Sequence, residues 1–262
     1  MAPTLLQALA LLLTGSLTGM LGSMLGVGGG VFLVPALVIL FDVPMHFAVG
    51  TSLVVVIATS SAVGAFRNER EAANVRLALV LQVVAIAAAI LGGLVAGAVP
   101  ERQLVFLFGL LLLPVGLLMW RQAPARDEAR DADAGAYYVV RRLGVGVGVS
   151  GVAGVVSGLL GVGGGILMVP ALTLFCRVPT RAAIATSNFM IGITALASTF
   201  LYFGRGEIAP ALTGAVVLGV LIGSTLGIRL ARRLSGSQVR RVFAVFLWFV
   251  ASQMLWRAVR PS

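Results

Sequence analysis

Apolar residues dominate this chain in long runs, and the polar positions fall in short breaks between them. Six runs are near the ~20 residues that a helix needs to cross ~30 Å of hydrocarbon; they cover residues 45–66, 75–99, 104–120, 179–203, 209–231 and 242–256. Two further runs, residues 3–41 and 139–176, are too long for one crossing, because a helix rises ~1.5 Å per residue. The pattern therefore predicts an all-α integral membrane protein in which both long runs are broken.

Each long run contains the same glycine cluster, and this is where we expect the helix to break. The stretch LGVGGGVFLVPAL begins at Leu25, and LGVGGGILMVPAL begins at Leu160. Successive glycines destabilise a helix and free the backbone from its regular hydrogen bonds. We therefore interpret each run as a glycine-broken hairpin, in which one helix is followed by a glycine loop and a shorter helix that returns.

The doubled cluster belongs to an internal repeat with an offset of 135 residues. Without gaps, 15 of the 28 positions in residues 25–52 are identical to those in residues 160–187. The repeat predicts a first transmembrane half at residues 1–120, a linker at residues 121–138 and a second transmembrane half at residues 139–262. Each half then supplies four helical segments, with the hairpin counted as one.

The arginines predict how the chain is oriented in the membrane. All 19 basic residues are Arg, hydrophobic residues make up 59% of the chain, and charged residues make up 11%. The net charge of +10 thus indicates membrane topology and not a nucleic-acid interface. Because cytoplasmic loops are rich in Arg, we place the central linker in the cytoplasm, which puts 15 Arg inside and 4 outside. Equivalent loops of the halves then face opposite sides, as in transporters whose inverted-topology repeats bind substrate between them near the midplane.

The candidate site consists of the loop glycines and of a polar group that follows each hairpin. Irregular backbone within a membrane is tolerated only where protein covers it or where it lines a wet cavity, and its N–H groups together with helix N-termini favour anions. The hydroxyl and amide groups donate hydrogen bonds without a buried charge, and in inverted halves we expect them to approach one another at the centre. Helix packing is the alternative for both sets. The predicted substrate-binding residues are Gly28, Gly29, Gly30, Thr51, Ser52, Gly163, Gly164, Gly165, Thr186, Ser187 and Asn188.

Three more residues are accessory candidates, and metal ions and cofactors are not expected. His46 is the only histidine and either contacts substrate or lies at the interface. Arg76 and Arg229 lie near helix ends, where such side chains snorkel or attract an anion to the cytoplasmic mouth. Every acidic residue falls in a loop or at the end of a span, so no carboxylate lies at mid-membrane to relay protons or to hold a cation. One cysteine and one histidine form no metal-ligand cluster.

At these residues the chain resembles the TauE/SafE family of sulfite exporters over essentially its full length. The resemblance lies in the doubled glycine motif with its Val-Pro-Ala-Leu, in HFAVGTS from His46 and in RAAIATSN from Arg181. It implies a multi-pass permease of the bacterial inner membrane that exports sulfite or small organosulfonates such as sulfoacetate. The halves are chemically unequal, however. Ala185 stands where the first half has Gly50, and Asn188 stands where it has Leu53.

The leading hypothesis is a secondary transporter that exports small sulfur-containing anions through a central site between inverted repeats. Its partners would be the lipid bilayer and the small anionic substrate, with no nucleic acid. The alternatives are a channel or importer for another small anion or sulfur compound, and a membrane subunit that transports nothing. A dinucleotide site is excluded because no strand precedes the glycines and no acidic residue follows at the required distance. A membrane enzyme would need a nucleophile with a base, or an acid pair, and the apolar runs offer neither.

Overall fold

The structure is a computed structural model that describes residues 5–25, 27–65, 73–121, 142–231 and 236–259. These residues form helices joined by short connections, and no strand occurs among them. In chain order the helices are α1 (Leu5–Leu25), α2 (Gly30–Leu40), α3 (Met45–Gly64), α4 (Val75–Ala98), α5 (Glu101–Arg121), α6 (Leu143–Leu160), α7 (Gly165–Leu174), α8 (Thr180–Gly204), α9 (Pro210–Ala231) and α10 (Gly236–Val259).

The all-α membrane fold predicted from the apolar runs is confirmed. Within the described residues, seven helices are long and apolar enough to cross a membrane, namely α1, α3, α4, α5, α6, α8 and α9. The shorter apolar helices are α2, α7 and the part of α10 from Phe243 to Val259. Each predicted single span is a helix. The predicted linker, apart from its first residue, lies outside the described residues.

Both long runs break at their glycine cluster, and they break in the same way. The loop between α1 and α2 places Gly28 and Gly29 at φ 82° and 76°, and the loop between α6 and α7 places Gly163 and Gly164 at φ 77° and 75°. This left-handed region is open to glycine at little cost and is rarely adopted by other residues. The repeat seen in the sequence therefore extends to the backbone conformation.

The equivalent helices α3 and α8 cross at the centre of the fold and run antiparallel. Val56 and Ile191, which are equivalent under the 135-residue offset, both lie against the glycine loops at this crossing. One turn beyond Val56, the Oγ of Ser60 donates a 2.5 Å hydrogen bond to the main-chain oxygen of Asn188, which precedes Ile191 on α8. An antiparallel pair of equivalent helices is what inverted repeats predict.

The remaining helices pack in pairs that are exchanged between the halves. Helix α1 packs on α9 and its equivalent α6 packs on α4, while α3 contacts α9 and α8 contacts α4. The equivalent helices α5 and α10 pack on each other. They also run antiparallel, because Arg102 at the start of α5 donates to the carbonyl oxygen of Ala258 at the end of α10. Each half therefore completes its packing with helices of the other half.

Glycines allow the exchanged pairs to approach backbone to backbone. In the pair of α1 and α9, a Cβ atom on Gly15 would lie 2.3 Å from the carbonyl oxygen of Val216. In the pair of α6 and α4, a Cβ atom on Gly158 would lie 2.0 Å from the carbonyl oxygen of Ala89. Close packing through small residues is a main source of helix association in membranes, so these glycines are structural.

Charged side chains divide between the two ends of the helices. At one end, which we call the paired end, acidic groups and arginines contact each other or cap helices; they are Asp42, Glu101, Arg102, Arg205, Glu207 and Arg257. At the opposite end, which we call the arginine end, the charged side chains that the structure describes are exposed arginines: Arg76, Arg142, Arg177 and Arg229. Since arginine marks cytoplasmic loops, the arginine end corresponds to the side on which the sequence places the linker.

The close approach of α6 to α4 predicts that Gly158→Ala destabilises the protein. The added methyl group would overlap the Ala89 carbonyl, and overpacking of this kind typically costs about 1–3 kcal/mol. Gly148→Ala on the same helix is the matched control, because a Cβ atom there meets nothing within 4 Å. Thermal unfolding in detergent should show a lower midpoint for Gly158→Ala alone. Equal midpoints for both variants would contradict the assigned packing.

Candidate functional site

The two glycine loops touch each other at the centre of the molecule. A Cβ atom on Gly30 would lie 2.5 Å from the carbonyl oxygen of Gly161 and 2.7 Å from the Oγ of Ser52. The Ser52 hydroxyl donates a 2.6 Å hydrogen bond to that same carbonyl, so α3 of the first half is bonded to the loop of the second. Only glycine fits at position 30.

The loops also close the centre of the crossing with apolar contacts. A Cβ atom on Gly28 would lie 2.8 Å from the Cδ1 of Ile191, and one on Gly163 would lie 2.7 Å from the Cγ1 of Val56. The predicted loop glycines Gly28, Gly29, Gly30, Gly163, Gly164 and Gly165 are all buried. In this conformation they form the packed centre, and the side chains of Val56 and Ile191 lie against Gly28 and Gly163.

A cavity of about 660 Å³ opens on the arginine-end side of this centre, between α3, α8 and the start of α4. Its polar lining comes from Ser60, Ser61 and Asn188, and the rest of the wall is small or apolar. None of the lining residues is charged. The cavity reaches the end of α3 and the start of α4, since its lining extends to Gly64 and Val75. It therefore leads from the arginine end to the crossing of the equivalent helices.

Asn188 is the predicted site residue that lines this cavity. Only 4% of its surface is exposed, and its Nδ2 has no hydrogen-bond partner among the described residues. A buried polar group without a partner costs about 1–3 kcal/mol and is uncommon in folded proteins. The Asn188 side chain therefore carries a buried hydrogen-bond donor that no other described residue uses.

Ser60 and Gly192 set the position of Asn188, and neither was predicted from the sequence. The Ser60 hydroxyl that bonds the Asn188 main chain lies 2.4 Å from where a Cβ atom on Gly192 would stand. The hydroxyl therefore reaches α8 only because residue 192 has no side chain. The positions equivalent to Ser60 and Gly192 are Ala195 and Ile57. This difference between the halves is the sequence feature that could have pointed to Ser60 and Gly192.

The other predicted hydroxyl groups are buried in helix contacts. The Thr51 Oγ1 lies 3.2 Å from the Thr213 Oγ1, and the Thr186 Oγ1 accepts a 2.9 Å hydrogen bond from the main-chain N–H of Asn74. The Ser187 Oγ is buried and has no partner among the described residues. Residues 51–52 and 186–188 lie on opposite sides of the crossing. The expected approach of the two polar groups at the centre is therefore not observed.

The accessory candidates lie at the two ends of the molecule. The half-buried His46 is at the paired end, where its Nε2 lies 3.2 Å from the carbonyl oxygen of Ala96. Arg76 and Arg229 are exposed at the arginine end, and Arg76 directly follows Val75 of the cavity lining. Within the described residues, no group of three His, Cys, Asp or Glu is placed to hold a metal ion.

Comparison with known proteins identifies the family. The sequence profile described as Sulfite exporter TauE/SafE matches residues 11–254. This chain belongs to the TauE/SafE sulfite exporter family. Its glycine loops and the crossing helices α3 and α8 all fall within the matched range.

Several curated proteins are similar to this chain over nearly its whole length. A probable membrane transporter protein of Xylella fastidiosa strain 9a5c is 31% identical over 94% of both chains. The probable membrane transporter protein YunE of Bacillus subtilis is 26% identical over 95% of this chain and 97% of its own. MJ0441 of Methanocaldococcus jannaschii, also named a probable membrane transporter protein, is 26% identical over 94% of both chains. No solved structure matches the chain significantly.

The loop geometry predicts that Gly164→Val disrupts the centre of the molecule. Residue 164 has φ 75°, and a Cβ atom there would lie 2.9 Å from the Ala153 carbonyl oxygen. A β-branched residue in the left-handed region costs at least about 1–2 kcal/mol before any steric overlap. The same change at Gly214, where a Cβ atom meets nothing within 4 Å, is the control. We expect a lower unfolding temperature for Gly164→Val only, and an unchanged temperature would show that the loop tolerates a side chain.

Proposed function

We propose that this membrane transporter is a secondary carrier that exports small sulfur oxyanions, either sulfite or organosulfonates such as sulfoacetate. The observation that carries the proposal is the cavity beside the crossing of α3 and α8, with the unpartnered amide of Asn188 in its wall. Membership of the TauE/SafE family supports the class of substrate. On this proposal the arginine end is cytoplasmic, in the inner membrane of a bacterium.

The chemistry of the cavity favours an anion over a cation. Its lining contains hydroxyl and amide groups and no carboxylate, so an anion would meet hydrogen-bond donors without repulsion. Neutral donors avoid the large cost of burying a second charge in a low-dielectric site. The exposed arginines at the same end, including Arg76 and Arg177, raise the local concentration of anions at the mouth.

The size and wall of the cavity favour an organic anion. A volume of about 660 Å³ lies within the range of about 300–1,000 Å³ that is usual for small-molecule sites. Much of the wall is apolar and comes from Ile57, Phe189, Ile193 and Leu196. A sulfonate group can bond the polar lining while its carbon chain contacts this wall. Sulfite alone would leave most of the cavity to water.

The packed centre favours a carrier over the alternative of an open channel. Beyond the cavity, the glycine loops and the buried side chains of Val56 and Ile191 leave no gap at the crossing. Passage to the other side then requires the halves to move, as inverted repeats do in alternating access. An inside-negative potential favours efflux by about 2.3 kcal/mol per charge per 100 mV. No coupled ion is needed for export.

The test of the proposed function is flux from proteoliposomes with an imposed membrane potential. Sulfite and sulfoacetate are loaded in separate preparations, and sulfate and chloride are run in parallel. Potential-driven flux of a sulfur anion that discriminates against chloride supports the proposal. Absence of flux for both sulfur anions, from protein shown to be folded and inserted, overturns the proposed substrate class.

Asn188→Ala should raise the half-saturation concentration for the transported anion about tenfold or more, because one hydrogen bond to a charged partner is worth about 1.5–3 kcal/mol. Asn188→Asp should lose transport altogether, since it replaces the donor with a negative charge. Ser187→Ala is expected to have a smaller effect than Asn188→Ala, because Asn188 is the one of the pair that lines the cavity. Ser252→Ala is the control, because the Ser252 hydroxyl is exposed and bonds its own helix. Equal half-saturation values for Asn188→Ala and the control would remove Asn188 from the site.

A further inference from the structure

The paired-end side of the crossing is closed by the connection between α8 and α9. We call the part of it that covers Arg205–Ile208 the outer connection. The carbonyl oxygen of Glu207 lies 2.4 Å from where a Cβ atom on Gly50 would stand, and the Ile208 side chain lies 3.2 Å from that point. Glycine at position 50 therefore allows the outer connection to rest directly on α3.

On the other side of the crossing, the equivalent positions line the cavity. Ala185 and Ala73 are the residues equivalent to Gly50 and Ile208, and both line the cavity instead of closing it. At the paired end one pair of positions is in direct contact, whereas both members of its counterpart line the cavity. Beside that counterpart, the Asn74 N–H bonds the Thr186 hydroxyl, so the start of α4 is held to α8 next to the cavity.

An arginine clamp holds the outer connection in place. The Nε of Arg205 lies 2.9 Å from the Oε2 of Glu207, and its Nη1 donates a 2.8 Å hydrogen bond to the carbonyl oxygen of Gly93 on α4. The guanidinium also lies 4.4 Å from the ring centroid of Tyr202. Tyr202 is fully buried and its hydroxyl donates to the carbonyl oxygen of Gly158 on α6. The clamp therefore ties the outer connection to helices of both halves.

The counterparts of the polar cavity residues lie on the paired-end side of the crossing and are apolar. Leu53 is equivalent to Asn188, and Ala195 is equivalent to Ser60. Both Leu53 and Ala195 are fully buried in this conformation. A vestibule opened on this side would be walled by apolar residues, and Arg205 would supply its positive charge.

We propose that the outer connection is the outer gate of the transporter, and that the structure describes the conformation open at the arginine end. Opening to the other side moves Glu207 off Gly50 and uncovers Leu53 and Ala195. The Arg205 guanidinium then releases the Glu207 carboxylate and contacts the outgoing anion instead. The role of Arg205 toward the anion rests on the proposed function, whereas the gate itself does not.

Cysteine labelling tests the gate without any substrate. Cys176 is the only cysteine, and burial raises the pKa of its thiol, so it reacts poorly; it is nevertheless replaced by Ala. Leu53→Cys, or Ala195→Cys as the smaller change, is then treated with a membrane-impermeant methanethiosulfonate from the paired-end side. Slow labelling is expected, and Glu207→Gln should accelerate it at least about tenfold, since about 1.4 kcal/mol shifts an equilibrium tenfold.

Asp42→Asn is the matched control for Glu207→Gln. Asp42 also pairs with an arginine at the paired end, Arg257, but its partner belongs to α10 and not to the clamp. We expect no acceleration from Asp42→Asn. As a second route to the open gate, Gly50→Ala inserts a methyl group under the Glu207 carbonyl and should accelerate labelling as well. Labelling that is fast in the parent, or that neither Glu207→Gln nor Gly50→Ala changes, overturns the gate.

The labelling result is independent of the flux result. Accelerated labelling without flux of either sulfur anion would support the gate and reject the proposed substrate class. Flux of a sulfur anion, together with a labelling rate that Glu207→Gln does not change, would support the proposed substrate class and reject the gate. If both hold, Arg205→Gln should raise the half-saturation concentration measured from the paired-end side. Unchanged affinity there would reject contact between Arg205 and the anion.

Discussion

The structure depends on a contact between two stretches of broken backbone inside a membrane. Irregular backbone at this depth is stable only when protein or a wet cavity covers it. Each glycine loop is covered by the other, because Gly30 lies directly against the carbonyl of Gly161, and Ser52 bonds the same carbonyl. A side chain at Gly30 would separate the loops. Neither half can therefore form its centre alone, and the exchanged packing of α1 on α9 and α6 on α4 follows from the same requirement.

The two halves share a backbone conformation, but the residues on the two sides of the crossing of α3 and α8 differ in polarity. On the arginine-end side, Asn188 and Ser60 provide polar groups. Their counterparts, Leu53 and Ala195, are buried and apolar. The backbone of the halves is therefore nearly symmetric, while the polar groups of the cavity, which come from both halves, lie on one side of the crossing. This division also explains why Gly50 closes one side tightly, whereas Ala185 lines an open cavity.

Charge is kept out of the cavity and placed at the ends of the helices. A charged side chain at the centre of a bilayer is expensive, and none lines the cavity. The arginines and acids of the paired end contact helix ends and connections instead, as Arg205 does for the outer connection. On the proposed function, the anionic substrate would bring the principal charge into the site. A site of neutral donors can release such a substrate more readily than a fixed counter-charge could.

The sequence by itself determined the spans, the breaks and the repeat. These follow from local properties, since the length of an apolar run must match the bilayer and clustered glycines interrupt a helix wherever they occur. The tertiary structure decided what the residues at the breaks contact. It assigned Gly30 to loop packing and Thr51 to a contact with α9, and it placed Ser60 and Gly192 beside Asn188. These outcomes depend on which helix faces meet at the crossing of α3 and α8. That choice is made by packing between residues far apart in the chain, which no local pattern encodes.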